Sequence, residues 1–506
     1  MVTGGTLGDR WRSAAEQWPD RIAIHDARDE SAWTFTDLWE RMQRIGSALL
    51  HHGLRPGDRV AILSAGFGRG YLEAEQGVMA AGLVRVPIDP STPPDELTAQ
   101  LAHSQPKAIV FEPAFEEAVA VARNGSEALF PLDTPRFERL LGESGIGSLP
   151  AARPGDLASL NFTGGTTGAP KAVALTHRNL VSVVDAVNQA RPLVGSDLLL
   201  NVRPMWPISG ILVTIHLLGG TGIVLGGRFD AATFADEVAR WRATHTSLVP
   251  TMLVRLLAGS DGPIDGLGTL RSIDIGAAGV PPGRLAEAVS RIGPWFGAVY
   301  GLTEAPWTCY RPPPDLLDGD GSWATSVGRP LGRHRIRIEG DEGALPPGEV
   351  GEVVIAGNHV MRGYWRDEAA TAAAMTADGF RSGDLGRIDQ AGRLHVVGRI
   401  KELIRTGGRS VQPQEVEDVI RGVSGVDDVA VVGLLDEEWG EQVVAAVVSH
   451  DPGLTADDIM RGCRSLAPHK KPRAVRFVDS LPRSHYGKVL RHELRLLLAE
   501  RDEPTP

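Results

Sequence analysis

Short apolar runs bounded by turn residues alternate with segments of helical period along the chain, the pattern of a layered α/β protein. Val60–Leu63, Lys107–Phe111, Leu157–Phe162, Ser247–Val249 and Val350–Ile355 read as buried strands. Phe35–His51 reads as a helix capped by Thr34 or Thr36. Phe234–Thr244 reads as another, with Phe234, Val238 and Trp241 on one stripe. The most apolar stretch, Ile211–Gly227, is broken by His216 and by glycines. Two buried strands, or a helix and a strand, explain it better than a membrane span, which needs about 20 unbroken apolar residues. Pro312–Ser322, rich in Pro, Gly and Asp, reads as a surface excursion.

Near Gly398–Lys401 the pattern changes. Gly392–Val397 reads as a turn and short strand, and beyond it the alternation becomes compact and βαβ-like, with a helix over Val411–Val423 and strands over Val429–Leu434 and Val443–Ser449. A chain of 506 residues exceeds what one core organises. The reading is therefore a large N-terminal α/β unit of several subdomains with layered sheets, residues 1–398, followed by a small α+β unit, residues 399–506.

Composition narrows the classes. The net charge of −11 argues against nucleic acid as the main partner, because phosphate backbones reward a broad basic surface. Arg461–Arg495 runs the other way, with ten Lys/Arg against Asp479 and Glu493, so the small unit should carry one basic face. Such a face suits an anionic cofactor tail or carrier, or is simply solvated. Cys309 and Cys463 form no metal or redox pattern and read as free thiols of a reducing compartment. Residues 1–10 carry no apolar signal core, so a cytoplasmic protein is expected.

The most informative stretch is Thr163-Gly164-Gly165-Thr166-Thr167-Gly168-Ala169-Pro170-Lys171. Glycines let backbone N–H groups approach an anion, threonine hydroxyls add donors, and Lys171 adds a positive charge able to neutralise phosphate oxygens. It is not a Walker loop, because Lys171 follows Pro170 and enters a predicted strand, Ala172–Leu175, rather than a helix. A P-loop kinase is thereby disfavoured. The segment resembles the signature loop of the adenylate-forming superfamily, which comprises acyl- and aryl-CoA synthetases, adenylation domains of non-ribosomal peptide synthetases, and luciferases.

Further segments match that family in order. Trp33-Thr34-Phe35 and Ala81–Pro87 are similar to its early structural motifs. Ile275-Gly276-Ala277-Ala278-Gly279 resembles the turn that lines adenine, with Gly279 where proline is common. Tyr300-Gly301-Leu302-Thr303-Glu304 resembles the pentapeptide in which Tyr300 stacks on adenine, Gly301 leaves room for the acyl group and Thr303 reaches the phosphates. In this comparison Glu304 is the magnesium-associated carboxylate, with Thr163 beside it. Asp384, in Ser382-Gly383-Asp384-Leu385, is implied to accept the ribose hydroxyls. Gly398-Arg399-Ile400-Lys401-Glu402 resembles the hinge motif, with Arg399 on ribose or phosphate and Lys401 where the small unit rotates. Leu481–Val489 resembles the C-terminal loop whose lysine, Lys488, reaches the α-phosphate and carboxylate. Gly407 and Gly408 are similar to the segment lining the thiol tunnel.

The resemblance implies an ATP- and Mg²⁺-dependent acid–thiol ligase with a mobile small domain. Its catalytic set is Lys488, Thr163, Glu304 and Lys171, and coenzyme A or an acyl carrier protein is its acceptor. The pocket departs from the family: Pro207, in Pro204-Met205-Trp206-Pro207-Ile208-Ser209-Gly210, stands where His is expected, and Ala298-Val299 replaces a frequent Gln-Gly pair. With Trp206, Ile208, Gly301 and Trp307 these residues suggest a small or aromatic acid. Arg203 and Arg311 are expected on exposed surface, with pairing to a second carboxylate as the alternative. The rival functions are a stand-alone enzyme passing its adenylate to a carrier protein or nitrogen nucleophile and, more distantly, a non-catalytic ATP-binding regulator. Monomer and homodimer both remain open.

Overall fold

The computed structural model describes residues 5–125, 127–145, 147–163, 171–259, 262–276, 278–280, 282–313, 325–483 and 489–500. Three sheets build the large N-terminal domain and a fourth builds the small C-terminal one. The nine-stranded sheet has a parallel centre, Ile22–Asp26, Gly222–Leu225, Leu198–Asn201, His245–Leu248, Ser272–Ile275 and Phe296–Leu302, with antiparallel strands at both edges. The seven-stranded sheet runs Gly363–Tyr364, Lys171–Thr176, Leu157–Thr163, Val84–Ile88, Arg59–Leu63, Ala108–Phe111 and Ala128–Pro131. A six-stranded antiparallel sheet, built from strands between Arg335 and Arg399, completes the domain.

Helices Leu7–Gln17, Phe35–His51, Arg69–Ala80, His177–Ala190 and Ile211–Leu218 contribute to one large apolar cluster that also takes residues from the sheets. Helix Phe35–His51 starts where its capping chemistry dictates: Thr34 Oγ1 accepts from Asp37 N at 3.1 Å, while Asp37 accepts from Thr34 N at 2.9 Å. Thr34, not Thr36, is therefore the cap. Ile211–Gly227 resolves into helix Ile211–Leu218 and strand Gly222–Leu225. No helix among the described residues is long and apolar enough to cross a membrane.

In the small domain, strands Asp428–Asp436 and Gly440–Val448 pair as an antiparallel hairpin. Val429, Val431, Val443, Ala445 and Val447 enter one cluster, and Ala430, Val432, Val444 and Ala446 another. Burial on both faces explains why these strands read as unbroken apolar runs. Two predicted helices are trimmed. Helix Phe234–Trp241 stops early because Arg242 turns left-handed at φ +51°, and the small-domain helix is Pro413–Arg421, with Val411 ending a strand instead.

Candidate active site

The Gly/Thr-rich loop is the connection of a β-hairpin. Leu157–Thr163 and Lys171–Thr176 are antiparallel, Thr163 stands opposite Lys171, and Thr163 Oγ1 lies 3.4 Å from the Lys171 carbonyl oxygen. Residues Gly164, Gly165, Thr166, Thr167 and Gly168 lie outside the described residues, as do Ala277 and Lys488. Lys171 is exposed, and its ammonium sits over the ring of Tyr364, 5.0 Å from the centroid. The Tyr364 hydroxyl in turn donates to Glu304 Oε1 at 2.9 Å. Burial and the neighbouring Glu304 push the Tyr364 phenol up, so it stays a neutral donor. Backbone ties hold the partners in place: Met361 N donates to the Glu304 carbonyl at 2.7 Å, and Tyr364 pairs with Val173 across the sheet.

Four residues before Glu304, Tyr300 points the other way. Its buried hydroxyl donates to Asp384 Oδ2 at 2.8 Å, and Arg399 Nε lies 2.9 Å from Asp384 Oδ1. Asp384 and Arg399 face each other across strands Gly379–Ile388 and Leu394–Arg399, so the sheet register brings them together. Burial and Asp384 raise the Tyr300 phenol well above its ordinary range. Gly276 ends strand Ser272–Ile275 beside Val299, while Ala278 is exposed just beyond. Thr303 is half-buried at the turn between Tyr300 and Glu304.

That turn requires glycine at position 301. A Cβ there would lie 2.5 Å from Trp307 N and 2.9 Å from the Ala305 carbonyl, so the returning backbone takes the space a side chain would need. Trp307 itself sits at φ +49°, a conformation costing an ordinary residue about 1–3 kcal/mol and typical of functional sites. Its ring is 5.9 Å from that of Tyr310, whose hydroxyl bonds the buried Asp274 at 3.0 Å.

Other pocket residues divide. Val299 is partly buried against the main core, and Ile208 likewise, while Ala298 is half-buried on the same strand. Trp206 is buried, and only glycine at position 66 admits its ring, since a Cβ there would fall 2.3 Å from Trp206 Cδ1. The Trp206–Pro207 peptide is cis. Arg203 and Arg311 are not surface residues. Arg203 is half-buried and donates to Ser247 Oγ at 2.8 Å, and Arg311 is 3% exposed in a strand whose residues are all buried.

Lys401 is exposed on the short helical turn Ile400–Glu402. Gly407 and Gly408 form the two-residue tip of hairpin Ile404–Val411 at φ +55° and +75°, a turn demanding positive φ at both positions. The loop carrying Lys488 is flanked by a bridge between Arg483 and Val489. Tyr364 is the participant that sequence reasoning missed. Only its aromatic type after Gly363 marked it, and Glu304 is 60 residues away in sequence.

A carboxylate, a phenol and a cation thus meet beside the start of strand Lys171–Thr176, the chemistry expected where phosphates bind. The AMP-binding enzyme family model matches residues 11–365, and the AMP-binding enzyme C-terminal domain matches residues 415–488. Sulfoacetate–CoA ligase of Cupriavidus necator is 33% identical, covering 95% of this chain and 95% of its own. Feruloyl-CoA synthase of an Amycolatopsis species is 33% identical over 92% of this chain and 94% of its own. ATP-bound MatB from Rhodopseudomonas palustris superposes with TM-score 0.90 at 28% identity, over 98% of this chain and 99% of that one. Amide bond synthetase McbA from Marinactinospora thermotolerans superposes with TM-score 0.88 at 29% identity, covering 97% and 100%. The chain belongs to the AMP-binding enzyme family. It is an AMP-forming ligase of the acyl-CoA synthetase type.

Proposed function

We propose that this enzyme activates a small or aromatic carboxylic acid as its acyl-adenylate, releasing pyrophosphate, and then passes the acyl group to the thiol of coenzyme A. The observation that carries the reading is the pentapeptide Tyr300–Glu304. It joins a ribose-side cluster, Tyr300–Asp384–Arg399, to a phosphate-side cluster, Glu304–Tyr364–Lys171.

The acid's carboxylate attacks the α-phosphorus of ATP and pyrophosphate leaves, so negative charge concentrates and catalysis is electrostatic. Asp384 binds the ribose hydroxyls and Arg399 holds that carboxylate in place. Lys171, with the loop donors Gly164–Gly168, neutralises the phosphates, and Lys488 bridges α-phosphate and carboxylate. Tyr364 donates to one oxygen of Glu304, and Glu304 with Thr163 would hold Mg²⁺. One protein carboxylate fits an ion that keeps water and substrate phosphates as its other ligands. Bound there, the ion neutralises charge on the departing pyrophosphate. The two lobes meet at residues 398–399, the small one turns about Lys401, and the Gly407–Gly408 tip then lines the thiol's path. Residues Arg461, Lys470, Lys471 and Arg473 face the coenzyme's phosphates.

Val299 and the inward-held Trp307 support a short pocket, and the sulfoacetate and feruloyl relatives fit that size class. The test is pyrophosphate exchange and thioester formation over sulfoacetate, ferulate, indoleacetate and palmitate, with and without coenzyme A. Short or aromatic acids should exceed palmitate at least tenfold, and the thioester should form. A preference for palmitate overturns the pocket reading. The likeness to McbA favours a second reading, a nitrogen acceptor; adenylate turnover indifferent to coenzyme A but yielding amide with added amine would establish it.

A further inference from the structure

Arg85 is a fully buried guanidinium in strand Val84–Ile88, and each of its nitrogens faces a different part of the fold. Nε donates to Ser159 Oγ at 3.0 Å, on the neighbouring strand that ends at Thr163 and the phosphate loop. Nη2 donates to the carbonyl of Pro207 at 3.2 Å. Nη1 pairs with Glu75 of helix Arg69–Ala80, itself 2% exposed. The other Glu75 oxygen lies 3.4 Å from where a Cβ on Gly210 would be, at the far end of the same Pro204–Gly210 segment. Ser159 also accepts from Asn161 at 2.8 Å, so the strand side of the contact is itself fixed.

Burying two opposite charges is expensive, and an apolar pair of similar volume commonly serves stability as well or better. A well-packed core did not need Arg85 and Glu75. What an apolar pair would lose is the fork that joins two sheets: the seven-stranded sheet carrying the phosphate loop, and the segment leaving the nine-stranded sheet that carries Pro207 and Ile208. We infer that Arg85, paired with Glu75, is a positioning residue that sets the acyl-pocket segment Pro204–Gly210 against the phosphate-loop strand and so aligns the acid with ATP. This rests on the reading of that segment as pocket wall.

The test uses Arg85→Lys and the volume-matched Arg85→Met/Glu75→Met double variant in the full chain. Hydrogen exchange of a peptide spanning 203–212 should quicken at least tenfold in both, and that of one spanning 157–163 should not. This reading needs no substrate, so it stands apart from the acid panel. With the panel's best acid, KM for the acid should rise at least tenfold while KM for ATP stays within twofold, although the double variant melts no lower than wild type. Lysine keeps the charge but cannot span both acceptors. If the double variant does not fold, Arg85→Lys decides. Unchanged exchange of 203–212, or an unchanged KM for the acid in a folded variant, overturns the assignment.

Discussion

Tyr364 shows how a single hydroxyl can hold a site's geometry. It donates to Glu304 while its ring face meets the Lys171 ammonium, so one side chain sets the spacing of an anion and a cation. A hydrogen bond to a charged acceptor contributes about 1.5–3 kcal/mol. Tyr364→Phe keeps the ring and loses that bond, so kcat/KM for ATP in pyrophosphate exchange should fall about tenfold or more, with the melting temperature little changed. An unchanged kcat/KM would mean that Glu304 is oriented by other means. Gly301 belongs to the same scale. Its lack of a side chain was legible in the sequence, but the reason for it, a Trp307 nitrogen 2.5 Å from where a Cβ would sit, was not.

Between elements, the start of helix Arg491–Glu500 is bound to the hinge. Arg491 Nε lies 3.0 Å from Glu402, one residue past Lys401, while Nη1 reaches Glu417 of helix Pro413–Arg421 at 2.6 Å and the Val431 carbonyl at 3.2 Å. Arg491 therefore ties the start of its helix to the turn Ile400–Glu402 proposed as the hinge. Arg491→Met should slow adenylation and raise hydrogen exchange around 400–403 and 489–495, leaving the Arg59–Leu63 strand as protected as before. Loss of protection in both domains would show global destabilisation instead of a broken tie. Glu417 keeps its pair with Arg421, so the loss should stay near 1.5–3 kcal/mol. Elements themselves were largely readable: hairpin Asp428–Val448 and helix Phe35–His51 follow from apolar period and capping alone.

Across the whole molecule, buried histidines contribute to the response to acid. Burial holds His177, His245 and His334 near about 4, and pushes His216 and His359 down as well. These rings are neutral when folded and titrate near 6.5 when unfolded. The unfolded chain therefore binds more protons below that value, and stability falls as pH drops from about 6.5 toward 4. Each ring costs about 1.4 kcal/mol per pH unit in that window. Melting followed by calorimetry should show a clear drop in Tm between pH 7.5 and 5.5; a Tm that holds or rises would contradict the buried neutral state.

Local order was decided within short stretches of chain. Apolar period, capping residues and the Gly/Thr/Lys spacing of residues 163–171 are properties of neighbours, so elements and fold class could be read from them, while the other nucleotide-binding candidates came from the resemblance of short motifs to a family. Partnerships across long separations could not. Tyr364 with Glu304, Arg85 with Pro207, and the inward burial of Arg311 and Trp206 arise because the tertiary fold brings elements far apart in sequence within a few ångströms. No local pattern encodes which strand will lie beside which, and it is that choice which places a charge in the core or in a site.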